Sequence, residues 1–205
     1  MTTKLINKKR KHSVGYFSAY YRGLECLLEM WEDIRKEVPD STLDVYYGWE
    51  SWIALEGEDD FYERMERRFA ELADKGVTVH GRVSHTELAK AMKEIQVWAY
   101  PTQFAEIHCI TALKAQEAGC YPVVTNVAAL AETVQSGVKL NTKRIYVDEY
   151  QQEKFVKEVI DALREGKTGT PVVGTDWSDV AAQWDQAIKS LGTKKAPRTQ
   201  EPAVH

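Results

Sequence analysis

The sequence has no surplus of positive charge, no long apolar run and no paired cysteines. Its 205 residues carry 27 Lys plus Arg against 31 Asp plus Glu, a net charge of −4. That balance removes the electrostatic reason to expect nucleic acid as the main partner. No apolar stretch approaches the roughly 18–20 residues of a membrane span, and the N-terminus lacks the uninterrupted apolar segment of a secretory signal. Cys26, Cys109 and Cys120 fall on apolar stretches without Cys-x-x-Cys spacing. An odd, scattered set argues against a disulfide framework and fits a reducing cytosol, so a soluble cytoplasmic protein is expected. His12, His80, His85 and His205 have no metal-ligand spacing, so no metal site and no cofactor are expected.

What is present is ordinary globular composition, 43% hydrophobic and 28% charged, in a chain of the length of one domain. Residues 1–12 read as a basic N-terminal arm, 13–192 as the domain and 193–205 as a disordered tail. The run Lys8-Lys9-Arg10-Lys11 has two readings: a solvated arm, or a contact with an anionic membrane surface or targeting machinery.

Short β-rich runs alternate with amphipathic helical patterns, the mark of a parallel sheet with helices on both faces. Strands are expected at 13–18, 42–47, 77–80, 96–100 and 121–125, with a weaker signal at 144–147. Leu24, Leu27, Leu28, Trp31 and Ile34 recur at helical spacing after the first strand, and Pro39 ends that run. A charged helix is expected over 59–74. Ser84 with Glu87 three residues on forms a capping box for a helix through about Glu94. Further helices are expected at about 106–118, 128–135, 149–165 and 177–191. The fold class is therefore α/β, a Rossmann-like three-layer sandwich with about six parallel strands.

In an open parallel sheet, ligands settle at the carboxyl ends of the strands. Arg22-Gly23 follows the first strand, a cation beside a residue that lets backbone approach closely. Glu106-Ile107-His108-Cys109-Ile110-Thr111 follows the fourth, where a helix start offers free N–H groups and positive partial charge to a diphosphate. Across eight helical residues, Glu106 to Lys114 would span roughly 12 Å. One such stretch can touch both ends of a sugar-diphosphate-ribose ligand.

The run from Glu106 through Lys114-Ala115-Gln116-Glu117-Ala118-Gly119 to Val123-Val124-Thr125 resembles the Glu-x7-Glu donor motif of retaining glycosyltransferases, group 1 (family four). Arg22-Gly23-Leu24-Glu25, Gly81-Arg82-Val83 to Glu87-Leu88, Leu130-x-Glu132-Thr133-Val134 and Asp176-Trp177-Ser178 are similar, in order, to the C-terminal half of these two-Rossmann-domain (GT-B) enzymes. The resemblance covers about residues 13–191. It implies that Glu106 contacts donor-sugar hydroxyls and is the catalytic residue. It also implies that the N–H groups from Ile107 to Thr111 hold the diphosphate, that Arg22 neutralises it, and that the backbone of Gly81, Arg82 and Val83 cradles the base. Transfer with retention and without a metal follows from the same resemblance, as does a nucleotide-sugar donor as ligand.

Two positions depart from the motif. Lys114 stands where the second glutamate belongs, and an ammonium donates where a carboxylate accepts from ribose hydroxyls. Tyr16 stands after Gly15, where many relatives carry an arginine. The acceptor-binding N-terminal half is also absent from this sequence, so a partner domain or subunit is expected.

Plainer roles compete with these. Glu106 can complement a helix dipole, and Arg22 can be a surface cation. His108 suits a phosphate or a structural hydrogen bond, and Lys114 can pair with Glu117. Trp49 and Trp52 can stack on a sugar or base, or pack the loop. Trp177 and Trp184 can join the core or meet the partner half. The competing functions are a non-catalytic nucleotide-sugar-binding or assembly module and, less well supported, a nucleotide-sugar epimerase.

Overall fold

A computed structural model describes residues 9–174 and 176–192; Lys8 and the 193–205 tail lie outside them. The described residues divide into two compact units, one ending at Val172 and one beginning at Val173.

The first unit is built on six parallel strands: β1 (Ser13–Tyr16), β2 (Thr42–Tyr46), β3 (Val77–Gly81), β4 (Val97–Tyr100), β5 (Tyr121–Thr125) and β6 (Val138–Leu140), in the order β3-β2-β1-β4-β5-β6. The helices are α1 (Leu24–Glu37), α2 (Glu50–Glu56), α3 (Asp60–Leu72), α4 (His85–Glu94), α5 (Ile110–Glu117), α6 (Leu130–Thr133) and α7 (Glu149–Glu165). They cover both faces of the sheet, the Rossmann-like arrangement expected from the alternating pattern. The order reverses direction between the adjacent strands β1 and β4, so the turns that follow those two strands meet at the switch point.

Local chemistry explains most element boundaries. In α1 the apolar positions Leu24, Leu27, Leu28, Trp31 and Ile34 are all buried, the stripe a core-facing helix needs. Asp59 caps α3 by accepting from the Tyr62 N–H. Both bonds of the capping box at α4 form, Glu87 N–H to Ser84 Oγ at 3.2 Å and Ser84 N–H to Glu87 Oε2 at 2.9 Å.

Three expectations need correction. The sixth strand is Val138–Leu140, while Ile145, Tyr146 and Val147 form a turn. Ile145 is buried and the Tyr146 hydroxyl accepts from the Gln103 N–H at 3.2 Å, while Val147 is exposed, so these side chains pack locally in a turn instead of joining the sheet. The helix expected from Glu106 begins at Ile110. In the second unit α8 (Trp177–Gly192) leaves Trp177 88% and Trp184 66% exposed, so neither is core.

The basic run is not a solvated arm where it is described. Lys9 Nζ donates to the carbonyls of Met92 at 3.0 Å and Ala118 at 2.7 Å, serving the C-terminal ends of α4 and α5 together. Arg10 Nη2 lies 2.5 Å from Oδ2 of the buried Asp44, whose other oxygen meets His80 Nε2 at 2.7 Å. His12, buried at φ 55, bonds Asp40 Oδ1 through Nδ1 at 2.6 Å. Lys9, Arg10 and His12 are thus anchors, while Lys11 is exposed.

Arg10→Ala is expected to destabilise the fold by about 1–3 kcal/mol, because Asp44 keeps its charge and loses a partner. In an Asp44→Asn background the same change should cost much less. Equal losses in both backgrounds, measured by urea unfolding, would show that the pair is not coupled.

The cysteines are free and buried, and burial pushes Cys120 from 9.0 to about 11 and Cys26 up to about 12. The folded state therefore holds protons that the unfolded chain releases. The stability this adds is whole below about pH 9 and is lost as pH rises through about 11. Urea midpoints should fall over that range, and less so in Cys120→Ala; an unchanged slope would refute the assignment.

Candidate functional site

The turn after β1 is a single 3-10 turn, Tyr20–Arg22, closed by Gly23 at φ 120. Gly23 is required there twice over. Its φ lies where side chains are strained, and a Cβ would fall 2.3 Å from the Pro101 carbonyl oxygen. The close approach foreseen for this glycine is therefore to the loop after β4, and it brings Arg22 up to that loop.

The loop, residues 101–109, is fixed by distant partners. The Thr102 N–H donates to Thr125 Oγ1 at 3.0 Å, and Phe104 N–H donates to Thr102 Oγ1 at 2.9 Å. The Glu106 carbonyl accepts from the Ala129 N–H at 3.1 Å. These bonds hold Glu106 four residues ahead of α5, so it does not cap that helix. Cys109, at φ −82 and ψ 86, is the capping residue.

Arg22 and Glu106 meet. Arg22 Nη1 stands 3.2 Å from Glu106 Oε1 and 3.4 Å from Oε2. The side chains are 27% and 10% exposed respectively, a half-buried pair instead of a surface one. Glu106 also accepts from the Tyr100 hydroxyl at 2.7 Å, and that hydroxyl lies 3.3 Å from Ser18 Oγ. Burial, with the Glu106 charge adding to it, holds the Tyr100 phenol well above its ordinary range, so it remains a donor. Arg22 lies over the Phe104 ring, 4.0 Å from its centroid, and its Nη2 donates to the Tyr21 hydroxyl at 3.3 Å. Burial alone would lower the guanidinium's pKa, but Tyr21 and Glu106 outweigh it and raise it. Arg22 Nε is buried without a hydrogen-bond partner.

The other expected residues are more scattered. Ile107 is 97% exposed, and His108 is exposed in a bend outside the helix. The Ile110 N–H turns back to the His108 carbonyl at 3.1 Å and the Ala112 N–H to that of Cys109 at 3.0 Å. The roughly 12 Å helical span drawn from Glu106 to Lys114 therefore does not apply, because only the part from Ile110 onward is helical. Lys114 is exposed, and its Nζ is 3.4 Å from His85 Nδ1 instead of pairing with Glu117. Gly81 ends β3 at φ 64, with its carbonyl accepting from the Tyr47 N–H at 3.0 Å; Arg82 is exposed and Val83 half-buried. Tyr16, at the position of the absent arginine, is fully buried and donates to the Ala19 carbonyl at 2.9 Å.

Tyr100, Ser18 and Tyr21 belong to the site and were not foreseen. One signal was available for Tyr100: a lone hydroxyl at the carboxyl end of the apolar strand Val97-Trp98-Ala99-Tyr100. Among the described residues no group of three or more His, Cys, Asp or Glu is placed to hold a metal ion, and no helix is long and apolar enough to cross a membrane.

The sequence profile of the family described as Glycosyl transferases group 1 matches residues 10–165, which takes in both halves of this pair. The chain belongs to that family. Among solved structures, this glycosyltransferase domain is similar to the pneumococcal O-GlcNAc transferase GtfA in complex with UDP and GlcNAc, with a TM-score of 0.60 and 13% identity over 91% of this chain and 37% of the other. It is similar to HepE of Anabaena in complex with UDP and glucose, with 0.57 and 15% over 88% and 48%. It also resembles the sucrose-phosphate synthase of Thermosynechococcus elongatus, with 0.56 and 18% over 90% and 46%. At these identities the likeness is one of fold, and the chain spans less than half the length of each. No curated protein matches the sequence.

Gly23→Ala is expected to destabilise this glycosyltransferase domain by about 2 kcal/mol or more, through strained backbone and the clash with Pro101. Chemical denaturation measures this; a variant as stable as the wild type would contradict the close approach.

Proposed function

We propose that the chain is the donor-binding, C-terminal half of a retaining glycosyltransferase. The observation that carries this reading is the Arg22–Glu106 pair at the switch point, held by Tyr100 on one side and by the Gly23–Pro101 approach on the other. Glu106 is an acceptor for hydroxyls of the donor sugar. Arg22, with N–H groups of the Ile107–Thr111 segment, is the counter-charge for a diphosphate. When the glycosidic bond to the leaving nucleoside diphosphate breaks, negative charge grows on the departing oxygen, and a fixed cation beside it lowers the barrier. No step in this scheme calls for a metal or a resident cofactor.

Each partner of the pair has a second contact. Glu106 retains Tyr100 and Arg22 retains Tyr21 when the two separate, so ligand entry exchanges one charged contact for two. The GtfA and HepE structures are complexes with UDP and a sugar, which supports a nucleotide-sugar donor. A full transfer needs the acceptor-binding half, whether on a longer chain or on a separate subunit.

One observation favours a second reading, a binding or assembly module with a reduced donor site. Lys114 lies against His85 and offers no acceptor for ribose.

Calorimetric titration with a panel of nucleotide sugars separates these roles. Glu106→Ala should weaken a nucleotide sugar about 10- to 100-fold, the loss of charged hydrogen bonds worth ~1.5–3 kcal/mol, and leave the nucleoside diphosphate nearly unaffected. Arg22→Ala should weaken both. Absence of binding by every donor would refute the proposal.

A further inference from the structure

The helix of the second unit, α8 (Trp177–Gly192), starts from a local cap. Asp176 Oδ1 accepts from the Asp179 N–H at 2.8 Å and from Ser178 Oγ at 2.6 Å, and Gln183 Nε2 donates to the Gly174 carbonyl at 3.1 Å. Its 16 residues span about 24 Å. An isolated helix of that length is marginal in water, because most helical stability comes from packing an apolar face. Such a face is present and uncovered. Every residue from Ala181 to Leu191 is exposed, and Trp177 is 88%, Trp184 66%, Ile188 62% and Leu191 68% exposed. With Val180, Ala181 and Ala187 these side chains form a stripe roughly 120° wide on the helix. A contiguous exposed apolar surface of this kind marks an interaction site.

The stripe is self-complementary. Trp184 lies at its centre, and reflection of the sequence through that position places Trp177 on Leu191, Val180 on Ile188 and Ala181 on Ala187. Two copies of α8 laid antiparallel about a two-fold axis at Trp184 therefore present the same stripe to each other, the isologous contact of a closed dimer.

Charge sets the direction. Asp176 and Asp179 stand at the N-terminal end of the helix and Lys189 near its C-terminal end, where Lys189 also bonds Asp185 at 2.5 Å. Antiparallel pairing brings the acidic end of each helix level with the basic end of the other and opposes the two helix dipoles, whereas parallel pairing sets like ends together. Asp176, Asp179 and Asp185 outnumber Lys189, a sign that disfavours an anionic membrane surface, whose amphipathic helices are rich in Lys and Arg. Four indoles, at about 150–250 Å² each, supply most of the roughly 1,000–1,200 Å² of a small specific interface.

We propose that α8 is a homodimerisation helix that pairs antiparallel with a second copy of this chain about Trp184. This surface does not depend on the donor reading above.

Sedimentation equilibrium of the full chain tests it. The 23.4 kDa chain should pass to twice that mass with a Kd on the order of 1–100 μM, the strength of a small interface. Trp184→Asp places two carboxylates on the axis and should weaken the dimer about 100-fold or more, with circular dichroism checking that the helix remains. Trp184→Cys decides the matter if that variant loses its helix. Facing Cα atoms on the axis come within the roughly 4.4–6.8 Å of a disulfide, and Cys26, Cys109 and Cys120 are buried. Mild oxidation should therefore convert Trp184→Cys to a covalent dimer. Leu191→Cys should stay uncrosslinked, because antiparallel pairing separates the two copies of position 191 by about 20 Å. Equal crosslinking of both variants indicates a parallel pair and overturns the arrangement. A chain that stays monomeric at about 500 μM, well above that Kd, or a dimer that a still-helical Trp184→Asp leaves intact, refutes the proposal. Binding of a monomeric chain to phosphatidylserine vesicles, lost in Trp184→Asp, assigns the stripe to a membrane and overturns it as well.

Discussion

The structure turns on one half-buried ion pair whose partners come from opposite sides of the sheet's point of reversal. Arg22 follows β1 and Glu106 follows β4, and neither reaches the other by local geometry. Gly23 lets the first turn close on Pro101, while Thr125 and Ala129 fix the second loop from β5 and beyond. A carboxylate and a guanidinium so held pay little reorganisation when a ligand replaces one by the other, which is what electrostatic pre-organisation requires. Tyr100 matters because its hydroxyl gives Glu106 a second contact besides Arg22.

The same economy appears at the opposite ends of the strands. Lys9 joins the ends of α4 and α5, and Arg10 neutralises Asp44 beside His80. Gln96, buried, donates to the carbonyls of Ala162 and Leu163 at the end of α7 and accepts from the His12 N–H. Long polar side chains thus supplement the local caps at the ends of α4, α5 and α7. Among the helices of this unit, α2 is the one that buries no residue.

Much of this was legible in the sequence, because local signals set it. The apolar stripe of α1 and the capping box of α4 depend on neighbours within four residues, and both appear as expected. The start of α5 was not legible. Ile107 and His108 have helical neighbours in sequence, but the loop is pinned by Thr102, Thr125 and Ala129, contacts that no periodicity reveals. Likewise, β6 is too short to show a pattern, and Ile145 to Val147 looked like a strand although they form a turn in which only Ile145 is buried. In the site, motif spacing found Arg22 and Glu106. Tyr100 showed in the sequence only as a lone hydroxyl at a strand end, and Trp49 and Trp52 only as aromatics with two open roles, so their contacts required the fold.

The proposed donor site rests on family membership and on the geometry of the Arg22–Glu106 pair. A crystal structure of the chain with a bound nucleotide sugar tests this most directly. The account predicts that the Arg22 guanidinium leaves Glu106 for the diphosphate, while Glu106 contacts sugar hydroxyls and keeps its bond from Tyr100. A ligand bound elsewhere, with the Arg22–Glu106 contact intact, would contradict it.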